Sequence, residues 1–245
     1  MPNERLRGAI AAANLTNHGL ADKLHVSVKT VERWITQNRC PHPPTRLKVA
    51  GILEQDETYL WPELLADSRT SNASRSELVQ LWPTRPEVPH EVWRSLMRQA
   101  TSHVEILVYA GGFLVESLDF VNVVRAKAEA GAEIRILLGD HKSEAVRQRA
   151  REEGLPSLPQ RCLSTLEYLW ETAELPGVAI RTHSTPLYNS IYRFDNSMLV
   201  NTHSYGAYAA KSPVHHLQRV PGGHLFGYYL ESFDAVWSIA RPAVL

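Results

Sequence analysis

Over the first fifty-odd residues, apolar positions recur three and four apart, the period of a helix with one buried stripe. Leu6, Ile10 and Ala13 predict a first helix over 5–13, and Leu20, Ala21 and Leu24 a second, capped by Thr16 or Asn17. Ser27 stands where an N-cap belongs for a third over 28–36, with Val28, Val31 and Ile35 inward and Lys29, Thr30, Arg33 and Gln37 outward. Pro41, Pro43 and Pro44 break the chain before a fourth helix around 45–54. The run 66–76 is polar, lacks large apolar groups and reads as a linker. Beyond it Val92, Leu96 and Met97 mark a helix, and Trp82 and Trp93 read as core packing.

The pattern then alternates between short β-rich runs and amphipathic stretches. Strands are predicted at 103–110, 133–138, 178–183, 188–194, 198–202 and 214–220, and helices at 120–130, 143–153, 162–175 and 225–240. A strand, helix and strand in succession imply a parallel pair with a crossover, and Asp195-Asn196 between two strands reads as a tight hairpin. The chain therefore divides into an all-α domain at 1–65, a linker at 66–85 and an α/β domain at 86–245. Lys127, Arg147, Arg149 and Arg151 read as solvated helix faces.

Several classes fall away. The longest apolar stretch, 106–115, contains Gly111 and Gly112 and is well short of the roughly 18 residues of a membrane span. Residues 1–10 have no apolar secretory core, so a cytoplasmic protein with no membrane partner is expected. Cys40 and Cys162 are far apart and read as reduced thiols. No Gly-x-Gly-x-x-Gly follows a strand, so no dinucleotide is expected. His183, His203, His215, His216 and His224 crowd the last quarter without metal-ligand spacing, so neither a metal nor another cofactor is expected.

Formal net charge is zero, which by itself argues against a polyanionic partner. Segmenting the chain reverses that inference. The first fifty residues hold eight basic and three acidic side chains, while the next twenty hold one basic and five acidic. A basic helical segment inside a neutral chain points to nucleic acid.

At residues 20–34 the string LADKLHVSVKTVERW resembles the helix-turn-helix of the Xre family of bacterial repressors, related to the phage lambda and 434 repressors. The matching positions are Ala21, small where two helices touch, Val26 and Val31 in the core, and Trp34 near the end of the recognition helix. The family usually has glycine in the turn; here His25 stands there, and histidine is among the residues that tolerate positive φ. The resemblance implies that the third helix lies in the major groove of a double-stranded DNA operator. Lys29, Thr30 and Arg33 would reach bases, and Ser27, Gln37 and Arg39 would position the protein on phosphate.

Residues from about 86 to 241 resemble one half of the phospholipase D superfamily, through EILVYAGGFL, FVNVVRAKAEAGAEIRILLGD, YNSIYRFDNSMLVNTHS and HHLQRVPGGHLFGYYLESFDAVW. Members carry His-x-Lys-x(4)-Asp and, a hairpin later, Gly-Ser-x-Asn. Aligned on Asp195, Tyr188 stands where the histidine belongs and Ser190 where the lysine belongs; Asn201, Thr202 and Ser204 fall where glycine, serine and asparagine would stand. A phosphohistidine needs an imidazole nucleophile and a balancing cation, and neither is in its place. Period two puts Tyr188, Ser190 and Tyr192 on one face and Thr202 and Ser204 on the matching face of the next strand, with Arg193, Asp195 and His203 nearby, as a possible ligand surface.

The expected fold is thus an all-α helix-turn-helix domain followed by a phospholipase D-like α/β/α sandwich with a mixed sheet. The expected function is a nucleoid-associated, homodimeric transcription regulator whose second domain is a pseudoenzyme, not an enzyme, serving dimerisation, sensing of a small-molecule effector, or both. The rivals are a DNA-directed nuclease or phosphodiesterase with an atypical site, and a protein-interaction adaptor.

Overall fold

A computed structural model describes residues 2–65 and 69–245, and the chain clusters into two compact units, Met1–Asn72 and Ala73–Leu245. In the first, α1 (Glu4–Ala12), α2 (Asn17–Leu24), α3 (Val28–Thr36), α4 (Pro43–Leu53) and the single turn α5 (Glu57–Leu60) precede a 3-10 turn at Pro62–Leu65. Each start has a local cause. The side chains of Asn3, Thr16 and Ser27 accept from the amides of Leu6, Gly19 and Thr30. The fourth helix begins two residues earlier than the pattern suggests, because proline has no amide to satisfy in a first turn and its φ already suits one.

The α2–α3 turn is left-handed at His25, φ 55° and ψ 44°, and the Val26 amide donates to the Ala21 carbonyl at 3.0 Å. Leu6, Ile10, Leu20, Val31, Trp34 and Val49 form the centre of this unit's core, and Val28 is half-buried at its edge. Inside the same unit the Asn3 amide donates to the Leu60 carbonyl at 2.8 Å, fastening the chain start to α5.

After α6 (Arg69–Glu77), the second unit runs β1 (Leu78–Trp82), α7 (His90–Gln99), β2 (His103–Leu107), α8 (Gly112–Ser117), α9 (Phe120–Glu129), β3 (Glu133–Gly139), α10 (Glu144–Glu153), α11 (Leu158–Trp170), β4 (Val178–His183), β5 (Asn189–Phe194), β6 (Ser197–Thr202), β7 (Val214–Gln218), α12 (Leu225–Ile239) and β8 (Arg241–Pro242). The strands form one mixed sheet in the order β1-β7-β6-β5-β2-β3-β4-β8. The pairs β2/β3 and β3/β4 are parallel, as the helical crossovers require, and the other pairs are antiparallel. Alternation along the central strands separates two cores. Ile106, Ile136 and Tyr192 pack on one face under α7, α8 and α9; Leu107, Leu137 and Ile191 pack on the other under α10 and α12. No helix among the described residues is long and apolar enough to cross a membrane.

Four expectations need correction. Of the range 66–85 read as linker, 66–68 lie outside the described residues, 69–77 are helical, and β1 pairs antiparallel with β7. β1 escaped notice because it is an edge strand with its apolar side chains largely exposed, so it lacks a buried period. The helix expected at 162–175 is α11 and runs 158–170, starting where Pro159 sits in a first turn. Arg149 is buried rather than solvated, donating to Glu153 at 2.7 Å and to the Ala207 carbonyl at 3.1 Å.

The hairpin register also differs from the expected one. The two-residue turn at Asp195-Asn196, with Asp195 at φ 52°, sets Phe194 opposite Ser197. Counting back, Ser190 stands opposite Asn201 and Asn189 opposite Thr202. Directly paired residues share a face, so Thr202 points away from the Ser190 face, and Ser204 is exposed beyond the strand end.

Candidate functional site

On α3, Lys29 and Arg33 are one helical turn apart, with Gln37 just past the helix end; all three are exposed. Together with Arg7 and Asn17 they line a shallow depression, while Thr30, Arg33 and Arg39 border another. Among the described residues the side chains of Lys29, Arg33 and Arg39 make no hydrogen bond or ion pair. Ser27 and Thr30 are committed differently. The Ser27 hydroxyl caps α3 and lies 2.8 Å from the Thr30 hydroxyl, so both serve the helix start. Arg7 and Asn17 carry no motif signal and are brought beside α3 only by the packing of the unit.

The second unit contains a cleft of about 440 Å³. Its floor is β5, which contributes Ser190 and Tyr192, 4% and 0% exposed, and His203 follows β6. The end of β2 and the start of α8 supply Val108 to Phe113, and Arg85, Leu158, Arg161 and Tyr208 enclose the rest. Gly111 turns the chain there at φ 70°, a conformation that favours glycine, and an added Cβ would meet the Val108 side chain at 3.0 Å.

Hydrogen bonding settles the state of His203. Its Nδ1 lies 3.2 Å from the Leu187 carbonyl, which can only accept, so Nδ1 carries the proton. The Nε2 lone pair therefore accepts from the Ser190 hydroxyl, at 3.0 Å. Burial, reinforced by the positive charges of Arg149 and Arg85, pushes the His203 pKa down to about 4. The ring stays neutral at physiological pH and stacks against Tyr109, with centroids 6.2 Å apart. Tyr109 is itself fixed: its hydroxyl oxygen accepts from the Leu187 amide at 2.9 Å.

The Tyr192 hydroxyl is buried and has no hydrogen-bond partner among the described residues. Burial raises its pKa, although Arg85 and Ser190 both pull in the opposite direction. The Arg85 guanidinium lies over the Phe113 ring at 4.2 Å and has no carboxylate partner among the described residues. Glu153 also lines the cleft but is engaged by Arg149, and burial raises its pKa.

Of the residues read from the sequence as a ligand surface, Ser190 and His203 line this cleft. Tyr188 is 82% exposed and borders a separate depression with Tyr205 and Pro186. Arg193 points to the opposite face, where its Nη1 donates to Glu105 at 2.8 Å in a buried ionic group that also holds Arg135. Asp195 accepts from the amides of Thr101, Ser102 and His103; burial would raise its pKa, but these bonds outweigh it and hold the carboxyl below its usual value. Thr202 lies 3.4 Å from the Pro213 carbonyl. Arg85, Tyr109, Phe113, Arg161 and Tyr208 were not foreseen; the Gly111-Gly112 pair after β2 is the one local signal that the chain turns there. Among the described residues no group of three or more His, Cys, Asp or Glu side chains is placed to hold a metal ion.

No family model matches the chain, and no curated protein matches it. Similar solved structures include the phospholipase D family member Nuc from Salmonella typhimurium, 16% identical, with 68% of this chain and 97% of that one covered and a TM-score of 0.44. They also include TrmBL2, an archaeal chromatin protein whose structure shows a novel mode of DNA binding, 13% identical, with 84% and 73% covered and a TM-score of 0.44.

Proposed function

We propose that this protein is a homodimeric DNA-binding transcription regulator of the Xre helix-turn-helix type, with a phospholipase D-like second domain that is non-catalytic, pairs two copies and senses a small molecule. The observation that carries the reading is the unpartnered cationic surface of α3. Lys29 and Arg33 project from a helix whose N-terminus is capped and whose opposite side is core, and Arg39 follows in the next loop. Exposed cations with no internal partner are free to release counterions from a phosphate backbone.

The test is fluorescence anisotropy of full-length protein with DNA fragments from its own genomic neighbourhood, across a salt series. Arg33→Ala is expected to weaken the specific fragment about tenfold or more and to relax discrimination against random DNA. Equal affinity for all sequences in the parent, or an Arg33→Ala variant indistinguishable from it, would rule out this reading and favour the adaptor.

A second reading is favoured by the Ser190–His203 hydrogen bond, which has the form of a nucleophile and its base. Against it, the imidazole accepts a proton only near pH 4, so it is a weak base at neutrality. Plasmid cleavage or phosphodiester hydrolysis by the parent, abolished in Ser190→Ala, would establish it in place of the sensor.

A further inference from the structure

We propose that the cleft between β5 and α8 binds a small organic monocarboxylate, with the carboxylate held by Arg85 and the Tyr192 hydroxyl. The inference rests on the sensor reading above and names its ligand class.

A fully buried hydroxyl without a partner is destabilising, and the loss is recovered only when something accepts from it or donates to it. Tyr192 is such a group, at the floor of an open cleft. Arg85 lines the same cleft, half-buried and in no ion pair among the described residues, although its charge acts on Glu153. Its guanidinium carbon lies over the Phe113 ring at 4.2 Å, and a guanidinium donates its N–H groups in its own plane, along its edge. A planar carboxylate meets that edge with two parallel hydrogen bonds and can take a third from a phenol.

Charge selects the anion. Arg85 and Arg161 line the cleft together with Glu116 and Glu153, and Glu153 is engaged by Arg149. Arg149 also pairs with Glu152 at 3.6 Å, so these charges balance, and the unpaired Arg85 guanidinium can neutralise one negative charge but not two. The other polar pair is saturated: Ser190 donates to a neutral His203, leaving no cation beside it for a second or third phosphate oxygen. The remaining walls, Val108, Ala110, Phe113, Leu155 and Leu158, are apolar and fit the hydrocarbon part of the ligand.

The experiment uses full-length protein in isothermal titration calorimetry and thermal-shift assays at constant ionic strength. The probes are benzoate, phenylacetate and hexanoate, their neutral amides, and phenyl phosphate. The acids are expected to bind saturably and at least about tenfold more tightly than the amides. Arg85→Gln should remove that preference by weakening the acids far more than the amides, and Arg85→Lys should restore it in part. Tyr192→Phe carries an opposed pair of effects that a purely structural tyrosine would not show. Removing the orphan hydroxyl raises the unliganded melting temperature and weakens the acids severalfold.

Acids no tighter than amides, no acid binding at about 10 mM, phenyl phosphate tighter than phenylacetate, or a Tyr192→Phe variant less stable than the parent would each overturn the proposal. Anisotropy on the same proteins separates the two claims. If Arg85→Gln binds DNA normally and no acid binds, the ligand class fails alone. If the acids bind and no sequence-specific DNA binding is found, the regulator reading fails alone.

Discussion

Withdrawn from water and facing Arg149 and Arg85, His203 has a pKa near 4, against about 6.5 for an ordinary histidine. Between those values the unfolded chain takes up a proton that the native state refuses. The stability linked to His203 is therefore fully present above pH 6.5 and is lost as pH falls toward about 4. His183, His215 and His216 are shifted the same way by burial, so their effects add. Urea midpoints taken between about pH 7.5 and about pH 4.5 should fall steadily, with a shallower fall in His203→Gln; a flat profile would show that the ring is hydrated. At this scale the sequence was partly legible. The strand period placed Ser190 and Tyr192 on one face, and His203 stood out as a nearby histidine. Their partners, the Leu187 carbonyl and Arg149, were not legible, because a pKa depends on neighbours that no local pattern names.

Among the elements, helix starts with a side-chain cap were legible, since a cap and its amide are only two or three residues apart, as at Thr16 and Ser27. The start of α12 has a different device. Its first amides, at Leu225 and Phe226, donate to the carboxylate of Glu77 at 2.7 and 3.2 Å, a residue nearly 150 positions earlier and 0% exposed. Ser74 accepts from the His224 amide at 3.1 Å, so α6 grips the same helix start twice. Gly223 is required beside it, because any Cβ there would collide with the Glu77 side chain. Glu77→Ala leaves two helix-end amides unsatisfied and is expected to cost about 1–2 kcal/mol in chemical denaturation. A loss no larger than that of an exposed Glu91→Ala control would show that water replaces the carboxylate. The stretch 66–76 read as a linker because it is polar, and polarity hides the bond that Ser74 makes to the start of α12.

For the molecule as a whole, the proposed regulator would need a second copy about one DNA turn away for useful affinity. Sedimentation equilibrium of the full chain is expected to give a dimer at micromolar concentration, with Arg33→Ala unchanged in mass; a monomer throughout would remove the pairing role of the second domain. Zero net charge is a property of the total alone, since the basic excess of the first fifty residues is offset by the acidic stretch that follows. That excess, the caps, the alternation of short strands with helices and the hairpin at Asp195-Asn196 were determined by the sequence itself, because each is set by residues within a few positions of one another. Tertiary structure decided the rest. It put Thr202 on the far face from Ser190, buried Arg149 and Arg193 against carboxylates, drew Asp195 to the amides of Thr101 to His103, and assembled Arg85, Phe113 and Tyr192 around one cleft. These outcomes turn on pairing register and on which buried charges find partners, and both depend on residues that meet only when the chain has folded.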